Sequence, residues 1–177
     1  MALLNESYNI GAYNSAGTSL TSNAYTFRVE VILNSQSEEN NTSNITINWY
    51  IKGNSGWYYS GYNDINTVIR VKNVSLGETS FTQKIASTYG TMAATGVEYK
   101  MLSWTGDLSH DSKGDLSFGV QVYYDGGASA NILPRAHTKD FSTSAPKLGN
   151  STAAEIYVYN GTEWIKLKNT QINCISI

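Results

Sequence analysis

His110, Asp111 and Asp115 fall within one short stretch, with Asp107 and Asp125 near them in the chain. A histidine grouped with carboxylates is the raw material of a divalent-cation site, because hard cations collect carboxylate and carbonyl oxygens. The spacing does not follow a calcium-loop pattern, in which acidic or amide residues recur at every second position. A polar hairpin turn with Gly114 at positive φ accounts for the same residues. No metal ligand is assigned on this weighing, and no cofactor is expected. His110 and His137 are the only histidines, and each would need an adjacent nucleophile or carboxylate to suggest acid-base or nucleophilic work. No nucleophile elbow, zinc-binding histidine pair, P-loop or dinucleotide turn occurs. The expectation is a protein that is not an enzyme and has no catalytic residues.

Trp57, Tyr58, Tyr59 and Tyr62 offer different chemistry. Flat rings with polar handles, interleaved with Gly and Asn, suit stacking on sugar faces or anchoring a protein interface. In an extended segment Tyr58 points away from Trp57 and Tyr59, so part of the cluster can equally fill a core. Trp49 and Trp104 are assigned mainly to packing. The 13 tyrosines exceed what a core of this size needs.

The elements that would position these residues are strands. Tyr25, Phe27, Val29, Val31 and Leu33 alternate with polar residues, the period-2 mark of a half-buried strand. Polar residues 34 to 41 end that run, and Ile45, Ile47, Trp49 and Ile51 begin a second alternation that pairs antiparallel with the first. Shorter β-prone runs follow at 57–59, 67–73 and 79–85, a loop at 90–96, and alternating strands at 97–104 and 116–124. No helical period interrupts them. The pattern predicts an all-β fold, an antiparallel immunoglobulin-like β-sandwich over residues 25–141. Residues 1–24 read as an N-terminal arm, 142–153 as a linker, and 154–177 as a C-terminal β-hairpin and tail. Asn160-Gly161 between β-prone runs is the hairpin signal. A lone hairpin is marginal in water, so it should dock on the sandwich or on another chain.

Composition narrows the function classes. Charged residues make up only 15% of the 177 and the net charge is -2, so no basic field attracts phosphates and no nucleic-acid partner is expected. No run approaches the roughly 20 apolar residues of a membrane span. The N-terminal MALLNESYNIG lacks a basic region followed by an apolar run, so no secretory signal is expected. Cys174 is the sole cysteine, and the fold is expected to hold without a disulfide.

Leu108-Ser109-His110-Asp111-Ser112-Lys113-Gly114-Asp115-Leu116-Ser117-Phe118, followed by Ala130-Asn131-Ile132-Leu133-Pro134-Arg135-Ala136, resembles the H-x-x-D-G-x-x-S … I-P-R region of certain phage modules. These are immunoglobulin-like modules in minor structural proteins of bacteriophages infecting low-GC bacteria; Lys113 stands where that family prefers Asp. The segment Ile156 to Lys166 is similar to the I-Y-V-x-x-N-G-x-W-K hairpin that often closes phage tail proteins. The resemblance implies a virion protein made in the host cytoplasm, a tail, fibre or capsid-surface component serving as spacer, decoration or host adhesin. Its partners would be other virion proteins and copies of itself, and a host cell-surface glycan for an adhesin. Tyr157, Tyr159 and Trp164 are the assembly candidates on the hairpin, and Trp57, Tyr58, Tyr59 and Tyr62 the ligand or interface candidates. A carbohydrate-binding module or bacterial surface adhesin is the alternative that the aromatic cluster would serve equally well.

Overall fold

The computed structural model describes residues 1–13, 18–56, 66–88, 95–125, 136–149, 157–159 and 162–166. Eight strands form two four-stranded antiparallel sheets. The first contains β1 (Ala2–Tyr13), β2 (Ser19–Ser37), β3 (Thr42–Gly53) and β6 (Glu98–Ser109), in the order β1-β2-β3-β6. The second contains β4 (Asn66–Asn73), β5 (Thr82–Thr88), β7 (Leu116–Asp125) and β8 (His137–Ala145), in the order β5-β4-β7-β8. Consecutive strands β3 and β4 lie in different sheets, as do β6 and β7, while β3 pairs with β6 and β4 with β7. That interlock is the wiring of an immunoglobulin-like sandwich. β9 (Tyr157–Tyr159) and β10 (Trp164–Lys166) form a separate antiparallel hairpin.

The alternation in β2, β3 and β7 translates directly into a core. Phe27, Val29 and Val31 from β2, Ile45, Ile47, Trp49 and Ile51 from β3, and Val120, Val122 and Tyr124 from β7 are all fully buried. Rings then cross between the layers: Phe27 meets Tyr124 edge-on at 5.3 Å, and Trp49 stands at 90° to Tyr124 with centroids 6.4 Å apart. Tyr8 stacks on Phe27 at 5.6 Å and tilts toward Phe141 at 5.9 Å. Burial of each large side chain contributes about 1.5–3 kcal/mol, and edge-on ring geometry adds specificity.

Three expectations need correction. Residues 1–24 are no arm: β1 pairs with β2 from Ala2 to Tyr13, and β2 begins at Ser19. Leu4, Tyr8 and Ile10 pack against the core, but Glu6 holds the inward position between them, opposite Val29, and hides the period. The proposed linker is strand through Ala145, and Leu148 beyond it is buried. β8 itself gives little apolar contrast, since Lys139 and Thr143 share the inward register with His137 and Phe141. In β6, a bulge opposite Trp49 and Tyr50 turns Met101 and Leu102 both inward and shifts the phase of every later residue.

That phase shift sends Trp104 inward. A Cβ on Gly106 would collide with the benzo ring of Trp104, so the indole lies along the strand in space that only glycine leaves open.

The two ends of the sandwich differ. Segments 14–17, 57–65, 89–94 and 126–135 all join strand ends at one end of the sandwich. The opposite end is closed by tight connections: the 38–41 turn, the 3-10 turn Val74–Leu76, the 110–115 turn and the strap 146–149.

Gly106→Val should lower the unfolding free energy in urea by about 1–3 kcal/mol, the usual range for overpacking, and shift the tryptophan emission. An unchanged midpoint would contradict the placement of Trp104 over Gly106.

Candidate functional site

Of the residues singled out for cation chemistry, His110, Asp111 and Asp115 meet at the closed end in a hydrogen-bonded knot, whereas Asp107 lies on the outer face of the first sheet and Asp125 at the far end of β7. Asn41 sits in the left-handed region at φ 51, a conformation asparagine tolerates. Its Nδ2 donates to the carbonyls of His110 (3.0 Å) and Asp111 (3.2 Å), and its own carbonyl accepts from His110 N–H at 2.8 Å. Asp111 Oδ1 accepts the backbone N–H groups of Lys113 (2.8 Å) and Asp115 (2.9 Å). Those two N–H groups, Asp115's first, hold the Asp111 carboxyl below its ordinary value. The oxygen is spent on the turn. Among the described residues no group of three or more His, Cys, Asp or Glu side chains could hold a metal ion.

His110 is 2% exposed and bonded on both ring nitrogens. Nδ1 lies 2.7 Å from the Gly114 carbonyl, which only accepts, so Nδ1 carries the proton. Nε2 lies 2.7 Å from the Ser43 hydroxyl and, with the ring neutral, accepts from it. A serine hydroxyl on an imidazole whose far nitrogen is oriented by a carbonyl is the outline of a hydrolytic dyad. Ser43 is fully buried, however, and no substrate carbonyl can reach its oxygen in this arrangement. The dyad is a strut between β3 and the 110–115 turn.

The same turn holds the strap. Gly114 has φ +79 and its carbonyl accepts Leu148 N–H at 3.0 Å, while a Cβ there would collide with the Leu148 carbonyl. Gln36 Nε2 donates to the Pro146 carbonyl at 2.8 Å. Asn73 Nδ2 donates to the Ser109 carbonyl at 2.7 Å, tying β4 to β6 across the layers. A polar cleft of about 310 Å³ opens beside the knot, lined by Glu38, Asn41, Ser112, Lys113, Leu148 and the glycines 114 and 149.

The outer face of the first sheet carries a second network. Arg28 forms a two-pronged pair with Glu98 (2.9 and 2.6 Å), donates to Asn5 at 3.0 Å, and stacks over Tyr50 at 4.0 Å. Tyr50 OH and Asn48 Nδ2 both donate to Glu30. Asn34, Asn44, Thr46, Thr105 and Asp107 continue the ladder at 2.6–2.8 Å. On the other outer face Arg70 donates to Gln121 and Gln121 to Asp140. On both faces polar side chains pair with one another, and Arg28 covers the Tyr50 ring on the first.

Trp57, Tyr58, Tyr59 and Tyr62 lie outside the described residues, in the segment that joins β3 to β4 at the open end. Tyr157, Tyr159 and Trp164 are on the hairpin, with Trp164 opposite Tyr159 and Lys166 opposite Tyr157. Tyr159 is 52% exposed. The sequence reading found His110 and Asp111 but not Ser43, Asn41 or Leu148, because no local spacing links residues 67 and 69 positions apart. Among the described residues no helix is long and apolar enough to cross a membrane.

Comparison with known proteins assigns no family: no family model matches the chain, and no curated protein matches it. Among solved structures it is similar to a copper-bound variant of FetP from uropathogenic Escherichia coli. The identity is 11% and the TM-score 0.37, over 77% of this chain and 99% of that one. A likeness that weak carries no argument about fold or function.

Ser43→Ala would strand His110 Nε2 in the interior and should cost about 1–3 kcal/mol in chemical denaturation; no loss would mean the strut carries no strain of closure. A second expectation concerns acid. Hydrogen bonding to Arg28, assisted by its charge, holds Glu98 below 4.5, so the pair's contribution is present above that pH and fades as pH falls through the lowered folded value. Glu98 is 38% exposed on its side chain, so solvent screening limits the effect to about 1 kcal/mol or less. The melting-temperature gap between the parent and Glu98→Gln should therefore be open near about pH 6 and closed near about pH 2.5. A gap independent of pH would contradict the pair.

Proposed function

We propose that this chain is a structural protein of a bacteriophage virion, a minor tail, fibre or capsid-surface component working as spacer, decoration or host adhesin. The observation that carries the reading is the contrast between the ends of the sandwich. The motif that resembles the phage modules, His110 to Gly114, forms the knot of the closed end, and the strap it grips leads toward the hairpin. The strand ends at the other end are joined through residues 14–17, 57–65, 89–94 and 126–135, and the second of these segments carries Trp57, Tyr58, Tyr59 and Tyr62. Loops carried on a rigid scaffold are the usual place for recognition, and a hairpin with three-residue strands is too small to be stable alone. The two ends therefore suit a mounted module that presents one end and is held by the other.

Two zipped polar faces suit the same role. A virion surface protein works among many copies of itself, and faces whose donors and acceptors are already paired offer neighbours little to bind.

Mass spectrometry and immunogold labelling of purified phage particles should find the protein in stoichiometric amounts on the particle; absence from particles would end the reading. For an adhesin, Trp57→Ala with Tyr59→Ala should abolish attachment to host cells or cell-wall glycans while leaving the melting temperature within a few degrees, as exposed side chains contribute little to stability. Intact attachment would leave a purely architectural component.

A further inference from the structure

An antiparallel sandwich with two open sheets has four free edges, here β1, β6, β5 and β8. Exposed edges invite strand addition, and proteins block them with bulges and inward charges. β1 places Glu6 in the inward register opposite Val29, and β8 places Lys139 inward opposite Val122. β5 carries Lys84 as the extra residue of a bulge between Ile85 and Gln83. From Ser103 to Asp107, β6 has no bulge and no charge facing inward.

The backbone phase of that edge is fixed. His110 N–H bonds the carbonyl of Asn41, its opposed partner, and bonded pairs alternate along an antiparallel ladder. Leu108, Gly106 and Trp104 therefore bond β3, while Ser103, Thr105, Asp107 and Ser109 turn their N–H and C=O groups to the open side. The Ser109 carbonyl already accepts Asn73 Nδ2, which closes the edge at that end. Ser103, Thr105 and Asp107 remain, and among the described residues no strand pairs with them.

We propose that this edge is a homodimer interface, in which β6 of two copies pair antiparallel about a two-fold axis at Thr105. In that register Thr105 faces its own copy and Ser103 faces Asp107, so all three outward residues of each chain bond and nothing else is required. The side chains of Ser103, Thr105 and Asp107 already bond Asn48, Thr46 and Asn44 within their own sheet, so the backbone ladder carries the pairing, and no like charges are opposed across it. Shifting the axis to Gly106 would require the occupied Ser109 carbonyl, and shifting it to Asp107 would oppose two carboxylates. The inward positions place Trp104 of one copy opposite Gly106 of the other, a non-bonded pair, with the space over each Gly106 taken by the indole of its own chain. The two first sheets would then continue as one eight-stranded sheet. This pairing does not depend on the virion reading.

Sedimentation velocity on the full chain tests it. The parent should dimerise reversibly; a monomer at every concentration up to about 1 mM, the weak limit of specific association, would overturn the proposal. Thr105→Pro removes an N–H that points away from β3, a position where an edge strand accepts proline, and should raise the dimer dissociation constant about ten-fold or more, with the circular dichroism unchanged. Should that variant misfold, charge decides. Ser103→Lys puts a cation opposite the partner's carboxylate and should tighten the dimer. Adding Asp107→Lys opposes lysines at both outer pairs and should loosen it about ten-fold or more relative to the parent. A dimer indifferent to all of these substitutions would lie on another surface and overturn the assignment.

Discussion

Ring packing between the layers is the constraint on which the rest of the molecule depends. Phe27 and Trp49 from the first sheet close on Tyr124 from the second, and Tyr8 and Phe141 bring in the edge strands β1 and β8. Because inner-face residues alternate, every one of these contacts fixes a register, and a slip of one residue would expel a ring to solvent. Burial drives the Tyr8 phenol well above its ordinary range, with the Trp49 indole nearby opposing the shift. The hydroxyl is thus committed to its neutral form in an interior place, and it reaches His137 Nε2 at 3.5 Å across the seam between the sheets. With no disulfide among the described residues, this aromatic layer and the aliphatic rows beside it hold the sheets together. It also lies toward the open end, beneath the strand ends from which the longer connections leave.

What was legible in the sequence follows from how sharply each strand separates its two faces. β2, β3 and β7 are central, buried on one face and wet on the other, and their alternation reads directly. β1 and β8 are edges. An edge strand needs inward charge to avoid aggregation, and Glu6 and Lys139 supply it at the expense of the pattern by which a strand is recognised. The bulge at Met101 and Leu102 is illegible for a related reason: either phase of the alternation suits part of β6, and only pairing with Trp49 and Tyr50 decides where one gives way to the other. The strand pattern is therefore legible in the central strands β2, β3 and β7 and lost at the edges β1 and β8, where tertiary contacts override local pattern.

The candidate site was legible only in its local half. His110-Asp111-Ser112-Lys113-Gly114 announces a turn, and the Asp111 oxygen does what turn chemistry predicts. Nothing in the segment says that the imidazole will be buried against Ser43 or that the Gly114 carbonyl will serve two donors. Those roles come from β3 and from the strap, more than 30 positions away on either side. Chemistry-bearing residue types thus mark a place of high hydrogen-bond demand, and the fold decides whether that demand is met by a ligand or by the chain itself.

At the closed end the chain meets it. The Gly114 carbonyl accepts from His110 and from Leu148, so the turn, the β3 strut and the strap share one oxygen. Loss of any one partner loosens the geometry the others require, because a buried polar network is worth most when complete. Leu148, near the end of the described sandwich, is therefore held by the same turn that seats the imidazole, so the strap and the buried ring stand or fall together.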